Sequence, residues 1–321
     1  LNYIGSKLSL LDFIYSTIKD TAPHLEEAVF FDLFAGTGIV GRFFKNKVKS
    51  VIANDLEYYS YVLNRYYIQN SKKIDFDFST LNNLKGIKGF IYNNYCPTIS
   101  DRKYFTDENG KIIDAIRIEI EKYREDDNLY FFLLCSLLEN ADKVANTASV
   151  YGAYLKKFKT TASRKLEIKA SPIIETDNKN LVFNEDANTI IKKIEGDILY
   201  LDPPYNERQY GANYHLLNTI AKYEVFEPKG KTGLPEYNKS SYCKKNEVIN
   251  IFEDLIQNAR FRYIFLSYNN EGIMPMKEIK KIMSKYGKYE IAEMDYKRYK
   301  ADNGRMYSAN ATKEYIHILQ K

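Results

Sequence analysis

Residues 202–205 read Asp-Pro-Pro-Tyr, and their types suit one difficult reaction. The exocyclic amine of a nucleobase is a poor nucleophile because its lone pair is delocalised into the ring. A carboxylate oxygen of Asp202 and a rigidly held main-chain carbonyl could accept both of its N–H bonds. That favours sp³-like nitrogen and frees the lone pair to attack an electrophilic methyl. Pro203 and Pro204 fix φ and leave the Pro203 carbonyl uncommitted. Tyr205 offers a face on which an extruded base can stack. The plainer alternative is a proline-stiffened turn with a packed tyrosine.

A second group lies upstream. In "FFDLFAGTGIVG" a G-x-G-x-x-G pattern, Gly36 to Gly41, follows an apolar run, and Asp55 stands further along. Alone, that pattern reads as dinucleotide-binding. Asp32 argues against it. This carboxylate ends the apolar run, where it would repel a pyrophosphate docking on the helix N–H groups. S-adenosylmethionine instead presents a cationic amino group there, which a carboxylate can bind by a charge-assisted hydrogen bond. Asp55 can take ribose hydroxyls with either cofactor. Taken with Asp-Pro-Pro-Tyr, and with no dehydrogenase acid–base pair visible, the set favours S-adenosylmethionine over NAD.

Groups so far apart need strands that end at them. "AVFFDLF", "SVIAND", "NLVFNED", "GDILYLDPP" and "RYIFLSYNN" read as strands. "GIVGRFFKN", "EYYSYVLNRYYIQN", "EVINIFEDLIQNAR" and "MPMKEIKKIMSKYG" read as helices, and "YEIAEMDYKRYK" with "KEYIHILQK" as a closing strand pair. The alternation predicts an α/β fold: a Rossmann-like, mostly parallel sheet flanked by helices. Ile198 to Leu201 would deliver Asp202 to a crevice at the carboxyl ends of the strands. From 75 to 180 the rhythm changes to helical periodicity without strands, in "IDAIRIEIEKYREDD" and "LYFFLLCSLLENADKVAN". That segment is expected to be an inserted, largely helical subdomain, with 1–74 and 181–321 forming the catalytic domain.

The net charge is +5, compatible with nucleic acid without demanding it. There are 29 tyrosines beside 47 Lys plus Arg, a mixture that can stack on bases and contact phosphates, although an A/T-rich genome would produce the same bias. Two stretches could face nucleic acid. In the insertion these are Arg102, Lys156, Lys157, Lys159, Arg164 and Lys165; after Tyr205 they are Arg208, Tyr210, Asn213 and Tyr214, followed by the basic "EPKGKTGLPEYNKSSYCKK". His215 reads as packing or a hydrogen bond. No apolar run approaches the roughly 20 residues of a membrane helix, and no signal-peptide build is visible. Cys96, Cys135 and Cys243 lie far apart and only three histidines exist, so neither a disulfide framework nor a metal site is expected. A reducing cytoplasmic setting follows, with no membrane partner.

With these residues in view, the chain resembles the S-adenosylmethionine-dependent DNA adenine-N6 methyltransferases. It is similar to the Dam-like, alpha-ordered group, where the glycine motif precedes the target-recognition region and Asp-Pro-Pro-Tyr follows it. "YFTDENGKIIDAIR", "NTASVYGAYLKKFK" and "DPPYNERQYGANYHLLNTIAKY" are also similar to restriction–modification methylases of the FokI type. The resemblance implies a class I methyltransferase fold and a duplex-DNA substrate. It further implies base flipping, direct methyl transfer without metal or covalent intermediate, and a possible cognate restriction endonuclease. It places Tyr3, Lys7, Asp32, Phe34, Ala35, Gly36 and Gly38 around the methionine part of the cofactor, with Lys7 near its carboxylate. Asp55 would hold the ribose and Asp186 the adenine amino group. Asp202, Pro203, Pro204 and Tyr205 would form the target-base site, with Asp202 also bordering the cofactor. Alternatives at this stage are an enzyme acting on adenine N6 in RNA, such as rRNA, and a non-catalytic nucleic-acid-binding module on the same fold.

Overall fold

The computed structural model describes residues 7–296 and 312–321. Tyr3, and the part of the expected closing strand beyond Tyr296, lie outside the described residues. Among the described residues seven strands form one sheet: β1 (Val29–Asp32), β2 (Ser50–Asn54), β3 (Leu181–Phe183), β4 (Glu195–Leu201), β5 (Arg260–Asn269), β6 (Lys288–Tyr296) and β7 (Thr312–Gln320). Their order is β3-β2-β1-β4-β5-β7-β6. The first five are parallel, while β7 runs antiparallel to both β5 and β6. This is the architecture of the class I methyltransferases.

Successive residues of a strand face opposite sides, so each apolar strand supplies two cores. Phe30, Ile198, Tyr200 and Phe265 join one core, and Phe31, Leu199, Leu201, Ile264 and Leu266 join the other. Helices α1 (Leu11–Thr21), α2 (Ile39–Phe44) and α3 (Tyr58–Asn64) cover the first face. Helices α7 (Val248–Asn258) and α8 (Met276–Met283) cover the second. Burial on both sides explains why β1, β2 and β4 read as near-continuous hydrophobic runs. The strand order reverses between β1 and β4, which opens a crevice at their carboxyl ends.

Between Gln69 and Leu181 no strand occurs. Its main helices are α4 (Asp107–Ile120) and α5 (Asp127–Lys143). Their first turns are capped by Thr106, which accepts from Asn109 N–H, and by Asp126, which accepts from Leu129 N–H. Helix α5 is buried almost all round from Tyr130 to Leu138, and its core is continuous with that of α3 and the sheet face. The helical character stops there. From Val144 to Asn180 the chain has neither helix nor strand. Asn146 pins this stretch: its amide donates to the Lys103 and Leu155 carbonyls and its Oδ1 accepts from Lys159 N–H. Helix α6 (His215–Lys222) follows the Asp-Pro-Pro-Tyr segment and packs into the same core.

Candidate active site

At the reversal point lies a cavity of about 920 Å³, counting its open mouth. Strand β1 delivers Asp32, β2 leads into Asp55, and β4 leads into Asp202. Between β1 and α2 the chain turns through Gly36 (φ 52°) and Gly38 (φ 74°), both in the left-handed region that favours glycine. Asp55 holds this loop, since Gly36 N–H donates to its Oδ2 at 2.8 Å and Glu57 N–H to its Oδ1 at 2.9 Å. The Gly36 carbonyl accepts from the Ser60 hydroxyl and from the Asn64 amide.

Asp32 is 1% exposed and accepts from Gly41 N–H at 3.1 Å. Burial pushes its carboxyl up to about 8, Asp202 and Asp55 push the same way, and the Gly41 hydrogen bond opposes them. The third glycine of the motif therefore has a local task. A Cβ at Gly41 would meet Ile68 Cδ1 at 2.5 Å, so a larger residue there would have to push the end of that side chain aside.

At the other side of the cavity, Lys7 is 3% exposed and pairs with Asp202 Oδ1 at 3.0 Å. Its ammonium also donates to the Tyr205 hydroxyl, which donates to the same Asp202 Oδ1 at 3.0 Å. Burial alone would depress the Lys7 ammonium; Asp202, with Tyr200 and Glu314, outweighs it and holds it above the ordinary lysine range. Burial raises the Asp202 carboxyl, and Lys7 and Tyr205 oppose that rise.

Among the described residues the lining carries Asp32, Asp55, Glu57, Glu185, Asp186 and Asp202 against one cation, Lys7. Such a wall repels a pyrophosphate and suits the cationic, hydroxyl-bearing S-adenosylmethionine. Phe34 and Ala35 border the same space, and Phe34 meets Tyr242 edge-on at 4.9 Å. Asp186 sits exposed at the rim and caps a short helix by accepting from Thr189 N–H. Pro203 is buried, while Pro204 and Tyr205 are half-buried.

A family model matches residues 3–282, described as D12 class N6 adenine-specific DNA methyltransferase. The type II methyltransferase M.NlaIII of Neisseria lactamica is 54% identical over 332 residues, covering 100% of this chain and 99% of that protein. This chain belongs to the D12 class of adenine-N6 DNA methyltransferases. M.CviAII of Paramecium bursaria Chlorella virus 1 is 40% identical, covering 99% of this chain and 98% of that protein. M.FokI of Planomicrobium okeanokoites is also 40% identical and covers the whole chain, which spans 53% of that longer protein. The D12 class acts on adenine N6 in DNA with S-adenosylmethionine, so the family favours that cofactor over NAD and DNA over RNA.

The methyltransferase treats its expected DNA-facing residues unevenly. Lys156, Lys157, Arg164 and Lys165 are exposed and make no ion pair among the described residues. Lys159 is half-buried and its ammonium donates to the Thr147 carbonyl at 2.7 Å. Arg102 is occupied too: its guanidinium donates to the carbonyls of Asn94, Gly230 and Lys231, bolting the 229–234 turn onto the insertion. Arg208 is exposed, Tyr210 and Asn213 are half-buried, and Tyr210 borders the cavity. Tyr214 corrects the sequence reading. It is 1% exposed, stacked on Tyr210 and packed against Tyr59, because it faces the core one residue before α6. His215 is buried and bonds to the Tyr151 carbonyl, with its ring pushed down to about 4 by burial.

Sequence reasoning passed over Glu57, Gln209, Ser240 and Tyr242, which also border the cavity. Gln209 and Ser240 exchange two hydrogen bonds between side chain and backbone. No motif joins segments 31 residues apart, although Gln209 follows the Asp-Pro-Pro-Tyr segment closely enough to have been a candidate. No helix among the described residues is long and apolar enough to cross a membrane.

Proposed function

We propose that this chain is the modification methyltransferase of a type II restriction–modification system, marking adenine N6 within one short duplex sequence. The reading rests on the relatives that carry the name type II methyltransferase. It rests also on a Dam-like order in which the glycine motif precedes the insertion and Asp-Pro-Pro-Tyr follows it. Residues 75–180 would then be the target-recognition subdomain, and a restriction endonuclease of the same specificity its partner.

The observation that carries the site assignment is Asp202, presented at the end of β4 on the same cavity as the glycine loop, with Lys7 and Tyr205 both bonded to its Oδ1. Its Oδ2 and the Pro203 carbonyl accept the two N–H bonds of an adenine turned out of the duplex, and Tyr205 stacks on the ring. When bound, S-adenosylmethionine supplies an electrophilic methyl on a cationic sulfur. Asp32 faces its amino group, Asp55 and Asp186 its nucleoside end, and Phe34, Ala35, Gly36 and Gly38 the chain between. Asp202 stabilises the charge that develops on the amine nitrogen, and the surplus proton leaves to water.

The test is expression in a host without adenine methylation, followed by single-molecule sequencing of its DNA. N6-methyladenine confined to one short motif is expected. Modification scattered without a motif would remove the restriction–modification role.

A further inference from the structure

The family resemblance puts Lys7 near the methionine carboxylate, yet its ammonium is already committed inside the protein. It pairs with Asp202 Oδ1 at 3.0 Å, donates to the Tyr205 hydroxyl, and lies 4.6 Å from the centre of the Tyr205 ring. Its side chain is 4% exposed and that of Asp202 17%. We propose that Lys7 is a positioning residue for methyl transfer: it clamps one oxygen of Asp202, leaves the other for the incoming amine, and keeps that carboxylate anionic.

The argument starts from burial. A carboxylate in this cavity is driven toward its protonated form by desolvation, and a protonated Asp202 would lose an acceptor for the amine N–H. The groups around it add little help. From β1 comes Asp32, and from β4 Tyr200, whose hydroxyl is itself pushed up by burial and Asp202. Tyr205 and Tyr210 approach from the following loop, and Glu314 of β7 acts on Lys7 and Tyr205. Of these groups only Lys7 is cationic. Among the described residues, removing it leaves Asp202 among acids and neutral tyrosines, with a hydrogen bond from Tyr205. The pair also suits the chemistry, since a neutralised lysine adds no net positive charge beside a cationic methyl donor.

This inference rests on Asp202 being the acceptor for the target amine. The experiment compares Lys7→Gln, Lys7→Met and Lys7→Arg with the parent in single-turnover methylation of duplex DNA, from mildly acidic to mildly alkaline pH. Binding of S-adenosylmethionine is measured in parallel and also reports that each variant folds. For Lys7→Gln and Lys7→Met the acid limb of the rate should move to higher pH by about one to three pH units, the range for losing an opposite charge nearby. Cofactor affinity should change less than about threefold, well short of losing a bond between charged groups. Lys7→Arg keeps the charge and should hold the limb near the parent's. If Lys7→Met fails to fold, the Gln and Arg variants carry the comparison.

An acid limb that stays in place in Lys7→Gln overturns the proposal, whatever happens to affinity. An unmoved limb with affinity weakened about tenfold or more would return Lys7 to the methionine carboxylate. Asp202→Ala separates the two levels of failure. If that variant methylates at the parent rate, the reading of Asp202 itself is wrong; if it is inactive while the limb in Lys7→Gln stays put, only the role of Lys7 is.

Discussion

Around the cavity between β1 and β4, Lys7 faces Asp202, Asp32 takes Gly41 N–H, and Asp55 takes the N–H groups of Gly36 and Glu57. Across residues 156–165 the picture is reversed. Lys156, Lys157, Arg164 and Lys165 stand in solvent with no ion pair among the described residues. A buried charge without a partner costs several kcal/mol, so Lys7 and Asp202 are matched to each other within the protein, while burial drives Asp32 toward its neutral form. Exposed cations bear no such cost and remain available to phosphates. The cavity pairs one of its acids with Lys7 inside the protein; the exposed cluster has no ion-pair partner among the described residues.

The difference can be broken at its strongest point first. Asp202→Ala should lower single-turnover methylation by about a hundred- to a thousandfold, the scale of removing one group that stabilises charge developing in the transition state. Duplex binding, measured by fluorescence anisotropy, should stay close to the parent's, because Asp202 belongs to the cavity and not to the basic surface. The converse variant neutralises Lys156, Lys157, Arg164 and Lys165 together as glutamines. Here cofactor affinity should hold, while the dependence of duplex affinity on salt weakens by about 0.9 in log–log slope for each phosphate no longer neutralised. A quadruple variant with the parent's salt slope would mean that these cations only solubilise the surface.

The same contrast explains what could be read in the sequence. Asp32, the glycines and Asp202 were legible because a strand end, a left-handed turn and a proline pair each restrict residue type locally. The sheet was legible through its doubly buried runs, such as Ile198 to Leu201. Arg102 and Tyr214 were not. An arginine in a basic, aromatic stretch has the same composition whether it meets phosphate or the carbonyls of Asn94, Gly230 and Lys231. Tyr214 lies one turn from half-buried Tyr210, and only the seating of α6 decides which ring is covered. The pairing of Lys7 with Asp202 joins residues far apart in the sequence and leaves no periodic trace.

Asp32 gives a smaller, pH-dependent effect. Its carboxyl is pushed up to about 8, first by burial and then by Asp202, which biases it toward the protonated form. The folded state therefore binds that proton more tightly than the unfolded chain does. Stability from this group is greatest at acidic pH and falls as pH rises from the ordinary carboxylate range to about 8. A cationic ligand prefers the ionised form. Affinity for S-adenosylmethionine should rise with pH, by at most about tenfold per pH unit, and level off above that point. Titration calorimetry in two buffers of different ionisation heat should detect proton release on binding, and Asp32→Asn should abolish it.

The smallest effect is expected from Arg102, which sharpens the comparison because it is a cation of the insertion that is bonded internally, as Lys7 is in the cavity. Arg102→Gln removes donors to Asn94 and to the 229–234 turn, while Tyr95 still donates to the Gly233 carbonyl at 2.7 Å. Since the guanidinium is partly exposed, the loss in global stability should be no more than about 1 kcal/mol. The salt slope of duplex binding should fall by less than the roughly 0.9 expected for a single phosphate contact. The change should appear instead as faster hydrogen exchange confined to residues 229–234. A slope that falls by that whole amount would move Arg102 to the DNA-facing group, and with it the boundary between the two regions.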